Sequence, residues 1–124
     1  MIHLILYVRD QTASTAFYRA ILGSEPSLDV PGMTEFRLSE STVLGLMPEQ
    51  GIVRLLGASI VDPATASGVP RAELYLVRDD AEALHARALA NGARALDAMR
   101  ARDWGHRVGY VADPDGHVLA FAAG

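Results

Sequence analysis

The tripeptide Val-Arg-Asp occurs twice, at Val8–Asp10 and Val77–Asp79, and each aspartate is followed thirteen residues later by a glycine, Gly23 or Gly92. Both copies follow an apolar run, His3-Leu4-Ile5-Leu6-Tyr7 in the first half and Glu73-Leu74-Tyr75-Leu76 in the second. A strand–helix module used twice accounts for this pattern. Such a duplication predicts a pseudo-symmetric pocket, which directs the search for function to the side chains that the first strands of the two modules carry.

The first strand, about His3 to Val8, leads into a helix capped by Asp10 or Thr12. Ala13, Ala16, Phe17, Ala20 and Ile21 keep the spacing of an amphipathic stripe and are expected to lie on a sheet. Gly23 supplies the left-handed residue that ends the helix. Short segments around Met33–Leu38 and Val43–Met47, punctuated by Pro26, Pro31 and Gly32, read as strands of a meander. In the second half a strand near Glu73–Val77 precedes a helix from about Asp80 to Asn91, with Leu84 and Ala88 on its inner side and His85 solvated. Val108–Ala112 and His117–Ala122 flank Asp113-Pro114-Asp115-Gly116, a proline-preset turn closed by glycine, with His117 stabilising the hairpin.

The expected architecture is α+β: module one about 1–56, a linker about 57–70 and module two about 71–124, each module βαβββ. A ferredoxin-like α+β sandwich shares the strand–helix rhythm but does not need a mirrored second module. The length of 124 residues fits one domain. No run approaches the roughly 18 apolar positions of a membrane helix, so a soluble chain with no membrane partner is expected. The N-terminus enters a strand without a secretory signal pattern, which predicts a cytoplasmic protein. All 11 Lys+Arg residues are arginine and there is no cysteine, which removes Schiff-base lysines, phosphate-loop lysines, thiolate nucleophiles and sulfur-ligated metals. A net charge of −4 without a basic stripe makes nucleic acid an unsuitable partner.

Phe17-Tyr18-Arg19-Ala20-Ile21-Leu22-Gly23, together with Trp104-Gly105-His106-Arg107 leading into Asp113-Pro114-Asp115-Gly116-His117, resembles the vicinal oxygen chelate superfamily over essentially the whole chain. That superfamily includes glyoxalase I, bleomycin-binding resistance proteins, fosfomycin resistance enzymes and extradiol dioxygenases. The resemblance implies paired βαβββ modules forming a cupped mixed sheet, a homodimer, and a ligand, often with a divalent metal, on the concave face. One scaffold carries several chemistries, so function must come from the site.

In metal-using relatives four concave positions carry His, Gln or Glu. Matched onto this chain they fall at His3, at Gly45, at Glu73 with a one-residue offset (Ala72 in strict register), and at Ala120. Strand alternation favours Glu73, since it places Glu73, Tyr75 and Val77 on the face that corresponds to His3, Ile5 and Tyr7. Glycine and alanine offer no donor, and catalytic metal sites keep about three protein ligands. The expected cofactor set is therefore empty, with His3 and Glu73 as the only metal candidates. Glu73 reads as a general base if desolvated, or as an edge carboxylate paired with Arg71 or another arginine.

The aromatic residues supply the other candidates. Tyr7 and Tyr75 hold matching concave positions, Trp104 precedes the last hairpin, and His106 is placed at the pocket rim; the competing reading has Tyr7, Phe36, Tyr110 and Phe121 filling a solid core. Two functional classes follow. One is a small-molecule-binding protein of the bleomycin-resistance type that holds an aromatic or amphipathic ligand through Tyr7, Tyr75, Trp104, His106, Glu73 and His3. The other is a metal-dependent enzyme of the glyoxalase or dioxygenase type using His3 and Glu73. A dimeric scaffold with a collapsed pocket is a third outcome.

Overall fold

The computed structural model describes every residue from Met1 to Gly124. In chain order the elements are β1 (Ile2–Val8), α1 (Gln11–Leu22), β2 (Leu28–Val30), β3 (Met33–Arg37), β4 (Thr42–Pro48), α2 (Glu49–Leu56), β5 (Glu73–Val77), α3 (Ala81–Ala90), β6 (Arg94–Ala101), β7 (Arg107–Ala112) and β8 (Val118–Ala123). They form two four-stranded sheets with the orders β1-β4-β3-β2 and β5-β8-β7-β6. In each sheet the first strand runs parallel to the last strand of its own module and the other pairs are antiparallel. Two sheets built to one plan are what a duplicated βαβββ module predicts, and they exclude the ferredoxin-like alternative. The chain groups into two compact units, Met1–Arg19 with Gly23–Ser67, and Ala20–Leu22 with Gly68–Gly124. No helix is long and apolar enough to cross a membrane.

The caps of α1 follow the sequence closely. Asp10 accepts the Ala13 backbone N–H at 3.0 Å, and Gly23 closes the helix in the left-handed conformation with φ 66°. The inward stripe is rotated from the expected one: Ser14, Phe17, Tyr18 and Ile21 are buried, whereas Ala13 and Ala16 are exposed. Rotation by one position exchanges small methyl groups for a phenol ring at the core, which removes far more apolar surface from water. Gln11 and Thr15 on α1 both hydrogen-bond to Thr34 on β3, so α1 lies on the sheet face that carries Thr34 and, by register, Leu6, Leu44 and Leu46.

Helix α2 is not visible in the sequence pattern. Pro48 ends β4 and the helix begins at the next residue, with Glu49 in its first turn and Ile52 as its one buried side chain. Eight residues with a single anchor show too few turns for a helical period to emerge. The segment expected as a linker contains two short 3₁₀ turns, Gly57–Ser59 and Pro63–Ala66, the second capped by the Asp62 carboxylate.

Contrary to the solvated position expected for it, His85 is buried on the inner face of α3 with Ala81, Leu84 and Ala88. Its ring meets Phe121 edge to face with centroids 6.3 Å apart. Gly109 on β7 makes room for it, since a Cβ there would stand 2.8 Å from His85 Cδ2 and 2.6 Å from Met99 Sδ. The space is created by a residue 24 positions away in the chain, beyond the reach of any helical-period argument.

The β7–β8 turn is held by one carboxylate. Asp113 Oδ1 accepts the backbone N–H groups of Asp115 at 2.9 Å and His117 at 2.8 Å, while Gly116 N–H donates to the Asp113 carbonyl at 3.0 Å. Gly116 has φ +88°, and a Cβ there would lie 2.8 Å from Gly68 Cα. Gly32 has φ +97° with nothing within 4 Å of a Cβ. Gly32→Ala is expected to cost about 1 kcal/mol from strain alone and Gly116→Ala about 2 kcal/mol or more from strain plus backbone collision, measured by chemical denaturation; equal costs would show that the glycine–glycine approach is unimportant.

Candidate functional site

Register and alternation assign the face of the first sheet that points away from α1. It carries His3, Ile5 and Tyr7 on β1, Val43, Gly45 and Met47 on β4, and Met33, Glu35 and Arg37 on β3. His3 Nδ1 lies 3.0 Å from Glu35 Oε2. The pair reaches across β4, which separates β1 from β3 in the sheet. Sequence reasoning singled out His3 and missed Glu35, whose approach depends on strand order. Tyr7 stands on this face at 37% exposure, so it is not core filler, whereas Phe36 is fully buried on the α1 side.

The donor set on this face can be tested directly against a metal. A Cβ at Gly45 would meet Ile5 Cγ1 at 3.1 Å and Met33 Sδ at 3.2 Å, so the position expected to carry a ligand is closed by apolar groups. In the second unit the corresponding residue, Ala120, is fully buried in an apolar cluster with Val108 and Ala122, against which Tyr75 and Tyr110 pack. Neither position fits a ligating side chain without repacking. The residues present do not match the four-donor arrangement implied by the resemblance.

The second unit assembles the aromatic candidates. Trp104 Nε1 donates to Tyr75 Oη at 2.9 Å, and Tyr75 Oη lies 2.7 Å from His106 Nδ1. One oxygen, the Tyr75 Oη, thus joins the indole to the imidazole. The Tyr75 and His106 rings are stacked, with centroids 5.9 Å apart. Trp104 remains 54% exposed, its indole anchored by one hydrogen bond and its faces accessible. Tyr75, Trp104 and His106 thus converge, although 29 and 31 residues separate Tyr75 from the other two.

Two more residues complete this surface and were not nominated from sequence. Tyr110 faces Ala120 across the ladder, and the Arg102 guanidinium lies over its ring, 5.1 Å from the centroid. Arg102 is fixed by hydrogen bonds to Asp97 and to the carbonyls of Ala98 and Val108. Burial pushes the Tyr110 phenol above its ordinary value, and the nearby Glu73 charge adds to this. Glu73 itself is exposed on β5, two residues before Tyr75 on the same face, and makes no ion pair with Arg71 or any other arginine, contrary to the pairing considered above. Strand alternation could have found Tyr110; the Arg102 contact depends on the irregular β6–β7 register.

Other polar groupings are accounted for by structure. The Asp113, Asp115 and His117 donor atoms lie within 4.8 Å of one another, but Asp113 Oδ1 already holds the turn. A hollow of about 540 Å³ between α1 and β2 is lined by Gln11, Thr15, Arg19 and Asp29 among others, and its polar groups satisfy one another.

The hydrogen bond from Arg102, assisted by the Arg100 charge and opposed by burial, holds Asp97 below the usual carboxylate range. A depressed carboxylate stabilises the fold above its unfolded pKa, and that contribution is lost as pH falls through the lower folded value. Asp97→Asn is therefore expected to lower the melting temperature at neutral pH, with the gap to the parent protein narrowing below the ordinary value of 3.8. A gap that stays constant across acid titration would refute this.

A family model described as Glyoxalase/Bleomycin resistance protein/Dioxygenase superfamily matches residues 1–121. An uncharacterized protein of Mycobacterium bovis is 30% identical over 118 residues, covering 90% of this chain and 75% of that protein. A glyoxalase-related enzyme from Fulvimarina pelagi superposes with a TM-score of 0.83 at 25% identity, covering 100% of this chain and 87% of that one. A glyoxalase/bleomycin resistance protein/dioxygenase family enzyme from Burkholderia phytofirmans PsJN gives 0.81 at 19% identity over 98% of this chain and 95% of that one, a likeness of fold. With its mirrored βαβββ modules and a family match over nearly its full length, the chain belongs to the glyoxalase/bleomycin resistance protein/dioxygenase superfamily.

Proposed function

We propose that this protein binds a small aromatic or amphipathic molecule without a catalytic metal on the ring-lined face of its second unit, the face carrying Tyr7 in the first unit being a separate apolar surface. The observation that carries this reading is the pair of small residues, Gly45 and Ala120, closed over by Ile5 and Met33 in one unit and by Tyr75 and Tyr110 in the other. What stands in place of ligating groups is apolar surface bordered by phenol, indole and imidazole. Such rings offer large contact area at little entropic cost, with polar tips that orient a ligand. Trp104, His106 and Tyr75 hold one another in position before any ligand arrives, which reduces the ordering cost of binding. Glu73 and His3 contribute polar contacts at the margins. We place the protein in the cytoplasm as a homodimer, with a small molecule, not nucleic acid or membrane, as its partner.

The second reading, a metal-dependent enzyme, is favoured by one observation: His3 and Glu35 put an imidazole and a carboxylate 3.0 Å apart. Within the first unit Glu35 adds a donor to His3, although the closure at Gly45 argues against a complete shell.

The neutral fluorophore N-phenyl-1-naphthylamine tests the first reading, because Trp104 is the sole tryptophan and reports energy transfer from a known position. Saturable binding that weakens by about tenfold in Tyr75→Ala is expected; absence of saturable binding would instead favour a scaffold. Nickel, zinc, manganese or iron at stoichiometric level in protein purified without chelator, and lost in His3→Ala, would favour the enzyme.

A further inference from the structure

We propose that the ring-lined face of the second unit selects ligands bearing a positive charge, an ammonium or quaternary ammonium group on an aromatic or amphipathic body, with Glu73 as the counter-charge. This rests on the binding reading above and narrows it to a chemical class.

Most arginines of this unit already hold a carboxylate. In this unit Arg78 pairs with Asp80, Arg107 with Glu82, and both Arg100 and Arg102 with Asp97. Glu73 makes no hydrogen bond and no ion pair, and neither does Asp103, which directly precedes Trp104. Of the three unpaired carboxylates of this unit, Glu73, Asp79 and Asp103, two adjoin the aromatic residues, and the Arg102 guanidinium over Tyr110 is committed to Asp97 and to the Ala98 and Val108 carbonyls; Arg71 and Arg94 are the unpaired arginines.

Geometry joins the carboxylate to the rings. Glu73 and Tyr75 share one face of β5, and Tyr75 and Tyr110 stand on either side of Ala120, whose methyl group leaves the row between them low. Glu73 is close enough to Tyr110 for its charge to be felt there. The electron-rich faces of tyrosine and tryptophan attract cations, and Arg102 over Tyr110 at 5.1 Å shows that a ring of this cluster accepts one. Rings and carboxylate thus act in the same direction: each favours a cation and disfavours an anion, and a weakly hydrated quaternary or aromatic ammonium gives up the least hydration on docking.

Three probes of matched size test this by titration against Trp104 fluorescence: benzyltrimethylammonium, neutral benzyl tert-butyl ether, and anionic phenylmethanesulfonate. The cation is expected to bind about tenfold more tightly than the neutral ether, and the sulfonate more weakly than either. Glu73→Gln, at an exposed position where the fold does not depend on the charge, should bring the cation and the ether within about threefold of each other. Equal affinities for all three probes in the parent protein, or an unchanged ratio in Glu73→Gln, would overturn charge selection and leave the binding reading standing. No fluorescence response to any of them would overturn both.

Discussion

The parallel pairing of β1 with β4, and of β5 with β8, is the constraint on which the molecule depends. It can form only when the helix and the intervening strands carry the chain back to the starting edge of the sheet, so it specifies the whole module. It also specifies the faces. Once Tyr75 stands beside Ala120, strand alternation commits Leu74 and Leu76 to the α3 side and Glu73 and Val77 to the other. A slip of β5 by one residue would turn Glu73 beneath the helix and Leu74 and Leu76 outward. The half-buried position of those two leucines beside the buried Leu119 and Phe121 is therefore also what keeps the candidate site facing outward.

Much of this was legible in the residue order because it depends on local chemistry. Asp10, Gly23 and the Asp113-Pro114-Asp115-Gly116 turn act through hydrogen bonds and backbone preferences within a few residues of themselves. The faces of the first strands followed from alternation, and Tyr75, Trp104 and His106 were separately identifiable as rings near the expected cavity. What remained hidden was relational. The Tyr75 hydroxyl links Trp104 and His106 through a loop whose path no period encodes. His85 is buried because Gly109 lacks a side chain, and Glu35 reaches His3 because the strand order sets β3 one strand away from β1. The stripe of α1 was misjudged by one position because counting apolar residues ignores their size.

The two modules have diverged in what they place on equivalent faces. The first carries aliphatic and thioether groups, Ile5, Met33 and Met47, with one His–Glu pair. The second carries rings tied by hydrogen bonds above an alanine and valine floor. Duplication supplies two copies of one frame, and function resides in the few positions where they differ.

The close cover over Gly45 bears on any attempt to install a donor in this row. A Cβ there would stand 3.1 Å from Ile5 Cγ1 and 3.2 Å from Met33 Sδ, so a larger residue is admitted only as both side-chain ends yield by a few tenths of an ångström. Seating a new group at the centre of the sheet therefore asks three strands to adjust together, not one position to change alone.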